Sequence, residues 1–242
     1  MTPEIQKTAP AEEAVLFRAC VGPFLVFLLF SLLLFVVDGA WSWNHPSAPW
    51  YRRAPEMLLY PLQVLACAGY IWHIRRSVSW EAPLAHCLLG ALAGVLGIAF
   101  WLIPYFLGWV PNNGGFDPVS VFGDNQAAVW VEYGFRFARA ALIVPIVEEF
   151  FWRGYLMRWC INRDFPQNVP LGQGSLLSYV VVTAAFMFAH NPVDYAGAFV
   201  YGTIAYLIVL RTKRLLPVVI MHAVANLIMG MCAIGFNLPQ LW

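Results

Sequence analysis

Apolar residues run in long continuous blocks along this chain, with few polar residues between them. The blocks fall at 22–37, 57–74, 84–107, 137–160, 175–190, 195–210 and 215–234. Crossing a bilayer as a helix takes ~20 mostly apolar residues, so the pattern predicts about seven membrane spans, or eight if one boundary is misplaced. The runs are continuous and do not alternate, which argues for helices and against a closed barrel. The predicted fold class is therefore all-α: a polytopic bundle of transmembrane helices.

Connections between the blocks are short, except at 108–136. That stretch holds Pro111, Asn112, Asn113, Gly114, Gly115 and Pro118, which is turn chemistry. Its later part mixes Trp130, Tyr133 and Phe135 with Glu132, a combination expected at the membrane interface. The N-terminal stretch 1–21 reads as a polar tail. Its Glu4, Glu12 and Glu13 do not suit a signal peptide, so the first apolar block is expected to be a retained span. No internal repeat interrupts the chain, and 1–242 reads as one integral membrane domain.

Composition agrees with lipid as the solvent. Of 242 residues, 61% are hydrophobic and 11% charged, and mean hydropathy is +0.67. The net charge of +1 offers no basic field for nucleic acid. The five cysteines are scattered, without C-x-x-C, which argues against a disulfide framework or a thiolate metal site. Seven spans would set Lys7, Arg18, Arg75, Arg76, Arg158, Arg163, Arg211, Lys213 and Arg214 on one side of the membrane. Arg52, Arg53, Arg136 and Arg139 would lie on the other. The positive-inside rule then puts the N-terminus in the cytoplasm and the C-terminus outside, in a multi-pass protein of the cell (inner) membrane.

Charges inside a span are costly and mark functional candidates. The block 137–160 contains Glu148, Glu149 and Arg153. Glu149 and Arg153 are four apart, on one helix face, and can pair. Glu148 is turned away from Arg153 and has no partner in its own helix. A lone carboxylate in an apolar place suits a general base. Pro145, one turn earlier, can open the helix beside it. Two later blocks add Phe186 with His190, and His222 with Asn226, each pair at i and i+4. Structural readings exist for all of them: an ion pair joining helices, a histidine at a helix end, an interhelical hydrogen bond. Taken together, Glu148 and His190 could deprotonate a water, while His222 and Asn226 donate to an oxyanion.

These residues, in this order, resemble the CPBP family of intramembrane proteases, which includes the type II CAAX prenyl endopeptidases. The motifs are Glu148-Glu149-x-x-x-Arg153, Phe186-x-x-x-His190 and His222-x-x-x-Asn226. Each is weak alone; three in order, each in an apolar segment, form a specific signal. The resemblance covers a catalytic core at about 138–230, and the first half of the chain matches only as generic membrane helices. It implies an active-site cavity within the membrane and an endopeptidase acting on a membrane-associated peptide or protein. Glu148 would activate water with His190, His222 and Asn226 would hold the oxyanion, and Glu149, Arg153 and Phe186 would support them. The resemblance leaves room for a divalent metal such as zinc on Glu148, His190 and His222. Water activation without a metal is favoured, because H-E-x-x-H is absent. Chain length and the additional N-terminal spans also resemble the branch associated with bacterial exosortase systems.

A second class of function stays open: a membrane scaffold, or a proton- or cation-coupled transporter using the same buried polar residues. One geometric difficulty is also visible. By the helical rise, His222 lies ~10 Å from the cytoplasmic end of its span and His190 ~24 Å from that of its own. They meet only if the block 175–190 starts deeper, tilts, or is bounded differently.

Overall fold

The computed structural model describes residues 3–45, 47–112 and 114–242, with side chains described from Glu12 onward. Asn113 and the side chains of Glu4 and Lys7 lie outside the described set. Among the described residues the secondary structure is helical, without strands. The principal helices are α1 (Pro3–Cys20), α2 (Gly22–Ala40), α3 (Glu56–Ile74) and α4 (Leu84–Trp101). They are followed by a helical run α5 over 126–159, then α6 (Leu176–Phe188), α7 (Tyr195–Thr212) and α8 (Leu216–Gly235).

Five stretches are long and apolar enough to cross a membrane: Glu12–Ala40, Glu56–Ile74, Leu84–Trp101, Pro192–Thr212 and Leu216–Gly235. Their outward faces are apolar. On α4, Leu84, Leu88, Leu92 and Leu96 recur every fourth residue and are all exposed. A stripe that would be a liability in water is the ordinary surface of a helix in lipid.

Three boundaries differ from the sequence pattern. Within the expected polar tail 1–21, Pro3–Cys20 forms α1, and Ala19, Cys20 and Val21 at its end are buried. A methyl group on the adjoining Gly22 would overlap the Tyr70 hydroxyl, so this joint presses directly on α3. The expected span 175–190 is the 13-residue helix α6. At 1.5 Å per residue it is about 20 Å long, short of a ~30 Å hydrocarbon core. Ser175 and Ser178 close a capping box that fixes its start, and Pro192 disfavours helical backbone at Asn191 just past its end. The block 84–107 breaks after Trp101, with Pro104 in a separate short turn, Ile103–Phe106.

α5 is not uniform. It begins at Gln126, capped by the Asn125 side chain, and becomes π-helical at Arg139–Ile143 and again at Phe150–Leu156. Pro145 sits between the two wide turns and has no N–H to give the ladder.

α4 and α8 approach closely through small residues. A methyl at Gly90 would overlap the Pro217 carbonyl, and one at Gly94 the Met221 carbonyl. This G-x-x-x-G spacing seats α8 against α4 and so fixes the height of His222. The two ends of the bundle differ in charge. Arg18 lines one surface hollow at one end, and Arg158, Lys213 and Arg214 line a second that adjoins it at Ser77; there Arg214 reaches the Glu81 carbonyl (3.3 Å). At the other end Arg53 donates to the Val121 carbonyl (3.3 Å).

Candidate active site

Glu148, His190, His222 and Asn226 line one cavity of about 360 Å³ inside the helix bundle. They come from three places: the middle of α5, the turn after α6, and α8. The short α6 removes the difficulty of depth. It ends at Phe188, so His190 and Asn191 face the cavity from irregular backbone, which is tolerated at membrane depth where it is enclosed by protein or lines a cavity.

Glu149 and Arg153 are fully buried beside this cavity. Arg153 Nη1 lies 3.0 Å from Glu149 Oε2 and 3.2 Å from Oε1, while Nη2 donates to the Gly202 carbonyl (3.3 Å). The other side of the same carboxylate is taken by α8: His222 Nδ1 donates to Glu149 Oε1 at 2.8 Å. One carboxylate thus ties α5 to α8 and orients an imidazole. Because Nδ1 carries the hydrogen in that bond, Nε2 is the other nitrogen available to a ligand. It donates only when the ring carries both hydrogens.

His190 is held by the same logic. Its Nδ1 lies 2.8 Å from the Phe186 carbonyl. A carbonyl only accepts, so Nδ1 carries the hydrogen and a neutral ring leaves Nε2 as a base. Phe186 is buried and packs its ring centre 4.7 Å from His190 and 6.4 Å from His222. The Arg153 guanidinium lies over that ring at 4.9 Å. The two motif histidines are therefore spaced by one aromatic ring, which the buried cation holds in turn.

Asn226 has a backbone task as well as a place in the cavity. In the first π-helical turn Val144 N–H bonds to the Arg139 carbonyl, five residues back. The next bond in that pattern would join Ala140 to residue 145, which is proline. Asn226 Nδ2 supplies the missing donor to the Ala140 carbonyl (2.8 Å). An amide carries two hydrogens, so one remains.

The cavity also contains groups that the sequence pattern did not single out. Asp194 is buried and accepts from Trp101 Nε1 and the Tyr105 hydroxyl, each at 2.8 Å. It lies four residues after His190 in H-N-P-V-D, and an acidic residue so close to a motif histidine was a usable signal. Tyr201 is buried, with its ring centre 5.8 Å from that of His222. Arg136 and Arg139 line the wall, although their charge read as that of residues at the far membrane surface. Spacing from Pro145 and Glu148 along one helix could have placed them inside.

Residues 130–228 match the family described as type II CAAX prenyl endopeptidase Rce1-like. That segment is an Rce1-like domain. The Rce1-like segment contains all seven motif residues, and at family level it is that of a CAAX-type protease, a hydrolase. No curated protein and no solved structure compared with the chain matches it. Among the described residues, no three His, Cys, Asp or Glu side chains stand close enough together to hold a metal ion. In each motif histidine Nδ1 is committed, to Phe186 in His190 and to Glu149 in His222, which leaves Nε2 as the free ring nitrogen of both.

Proposed function

We propose that the protein is an intramembrane endopeptidase that hydrolyses a peptide bond of a membrane-associated protein with a water activated by Glu148 and His190. The observation that carries this reading is the single cavity that Glu148, His190, His222 and Asn226 line together. Glu148 takes a proton from water as the oxygen attacks the carbonyl carbon, with His190 Nε2 as the second base. His222, as an imidazolium held by Glu149, and the free amide hydrogen of Asn226 donate to the oxyanion. The proton then passes to the amide nitrogen as the C–N bond breaks. Arg153 and Phe186 support the geometry and do not touch the reacting atoms. The Rce1-like match supports a substrate that carries a prenylated cysteine near its end, in the C-a-a-X arrangement. The protein sits in the cell membrane with its basic end, including the N-terminus, in the cytoplasm.

The test is direct. Purified protein in detergent is mixed with a prenylated C-a-a-X peptide and the products are read by mass spectrometry, with and without a chelator. Cleavage at one bond, undiminished by the chelator, is expected. An intact peptide, together with substrate-driven proton uptake into proteoliposomes, would replace this reading with the transporter.

A further inference from the structure

The cavity carries two guanidinium groups that the hydrolysis does not use. Arg136 and Arg139 are three residues apart on α5, and both line the cavity that holds Glu148. Arg136 is only 8% exposed. Its Nε has no hydrogen-bond partner. Its charge lies over three rings: Tyr60 at 5.0 Å, Trp242 at 5.1 Å and Phe116 at 5.5 Å. Arg139 lies over Tyr60 at 4.4 Å and Phe27 at 4.9 Å, and its Nε donates to Gln63 Oε1 at 2.6 Å. Gln63 is buried and is itself fixed, because its Nε2 donates to the Phe27 carbonyl (2.8 Å). The two cations thus share one aromatic frame and have little freedom to turn away.

What this frame lacks is a carboxylate in contact: Glu148 in the same cavity and Glu56 in the adjoining hollow act on the two cations only from a distance. Among the described residues no carboxylate comes within 4.0 Å of either guanidinium; the ion pairs found are Glu149 with Arg153 and with His222. Glu132 is buried one turn before Arg136 without reaching it. Asp38 and Glu56 lie around an adjoining hollow, and Arg136 and Trp242 line both that hollow and the catalytic cavity. Taking two like charges out of water without a close counter-ion is costly. Rigid planar donors held by stacking are suited to receiving a carboxylate.

We propose that Arg136 and Arg139 form a carboxylate subsite of the cavity, which binds the terminal carboxylate of the peptide substrate and so sets where cleavage falls. This deepens the protease reading and rests on it. Arg139 is nine residues before Glu148, about 13 Å along the helix by the α-helical rise. An extended peptide spans that distance with a few residues at ~3.3 Å each, so a substrate anchored at its end presents an internal bond to Glu148. An acidic side chain near the end would offer the same chemistry, and the experiment separates the two.

Three fluorescent C-a-a-X peptides with a prenylated cysteine are compared: a free acid, a C-terminal amide, and an amide whose last residue is glutamate. Equilibrium binding to the detergent-solubilised protein is measured beside cleavage, so the subsite is tested even if no bond is cut. The free acid is expected to bind about tenfold or more tightly than the plain amide. The glutamate amide should regain little of that difference. In Arg139→Gln and Arg136→Gln, the ratio of acid to amide affinity should collapse toward one. Arg139→Lys, which keeps the charge without the planar fork, should retain part of it. Equal binding of acid and amide to the unaltered protein would overturn the proposal, as would a ratio unchanged in both glutamine variants. Recovery of the full difference by the glutamate amide would assign the subsite to a side-chain carboxylate and overturn the terminal one. Absence of cleavage with the binding ratio intact would count against the protease reading and leave the subsite standing.

Discussion

Glu148 and Glu149 are neighbours in sequence with opposite surroundings. Glu149 is fully buried and accepts from Arg153 and His222, while Glu148 lines the cavity. Removing one partner of a buried ion pair leaves an uncompensated charge and costs ~3–5 kcal/mol. Glu149→Ala and Arg153→Ala should therefore lower the melting temperature in detergent as well as activity; unchanged melting in both would refute the structural role of the pair. The i, i+4 spacing made the Glu149–Arg153 contact legible in the sequence, because both residues belong to one helix. The bond from His222 to Glu149 was not legible, because it spans 73 positions and depends on how high α8 sits. The same holds for Asn226. Its spacing from His222 put it on the right face, but the Ala140 carbonyl became available only because α5 widens before Pro145.

At the scale of elements, that widening makes a specific expectation. Asn226→Ala leaves a buried carbonyl unsatisfied and should cost ~1–3 kcal/mol. In a Pro145→Ala background residue 145 has an N–H of its own to offer, so the same change should cost clearly less. Equal costs in the two backgrounds, measured by unfolding in detergent, would show that Asn226 does not serve the backbone there. The contact of α4 with α8 is tested by Gly94→Val. Its side chain would meet the Met221 carbonyl and should push α8 and His222 out of place, with loss of folding yield and activity. Gly39→Val, where a side chain meets open space, serves as the tolerated control. Apolar block length was enough to find α2, α3, α7 and α8 to within a few residues, and the start of α4, which ends at Trp101 rather than at 107. It failed for α6, whose 13 residues are bounded by a serine cap and by Pro192 rather than by the end of the apolar run. Length also hid the full extent of α5, because its first turns mix charged and aromatic residues and read as a loop.

For the whole molecule, the clearest regularity is the division of charge between the two ends of the bundle. Arg18, Arg158, Lys213 and Arg214 crowd one end. Reporters fused within 75–83 and within 161–174 should therefore both face the cytoplasm, and one within 108–125 should face the opposite side; the reverse pattern would invert the proposed topology. The two arginines that seemed to weaken this asymmetry, Arg136 and Arg139, lie in the cavity wall and not in a connection. Their placement turns a residual surface charge into a candidate for substrate recognition. The cavity joins this architecture to chemistry, since it is lined by helices from both halves of the chain: Phe27 and Trp101 from the first, the motif residues from the second. The most direct test of its function compares the unaltered protein with Glu148→Gln, in one preparation, on one prenylated C-a-a-X peptide. Glu148→Gln should melt at the same temperature and still bind the peptide while cleavage falls by three orders of magnitude or more, roughly the loss of a catalytic base with its activated water. Full cleavage by the folded variant would contradict the account.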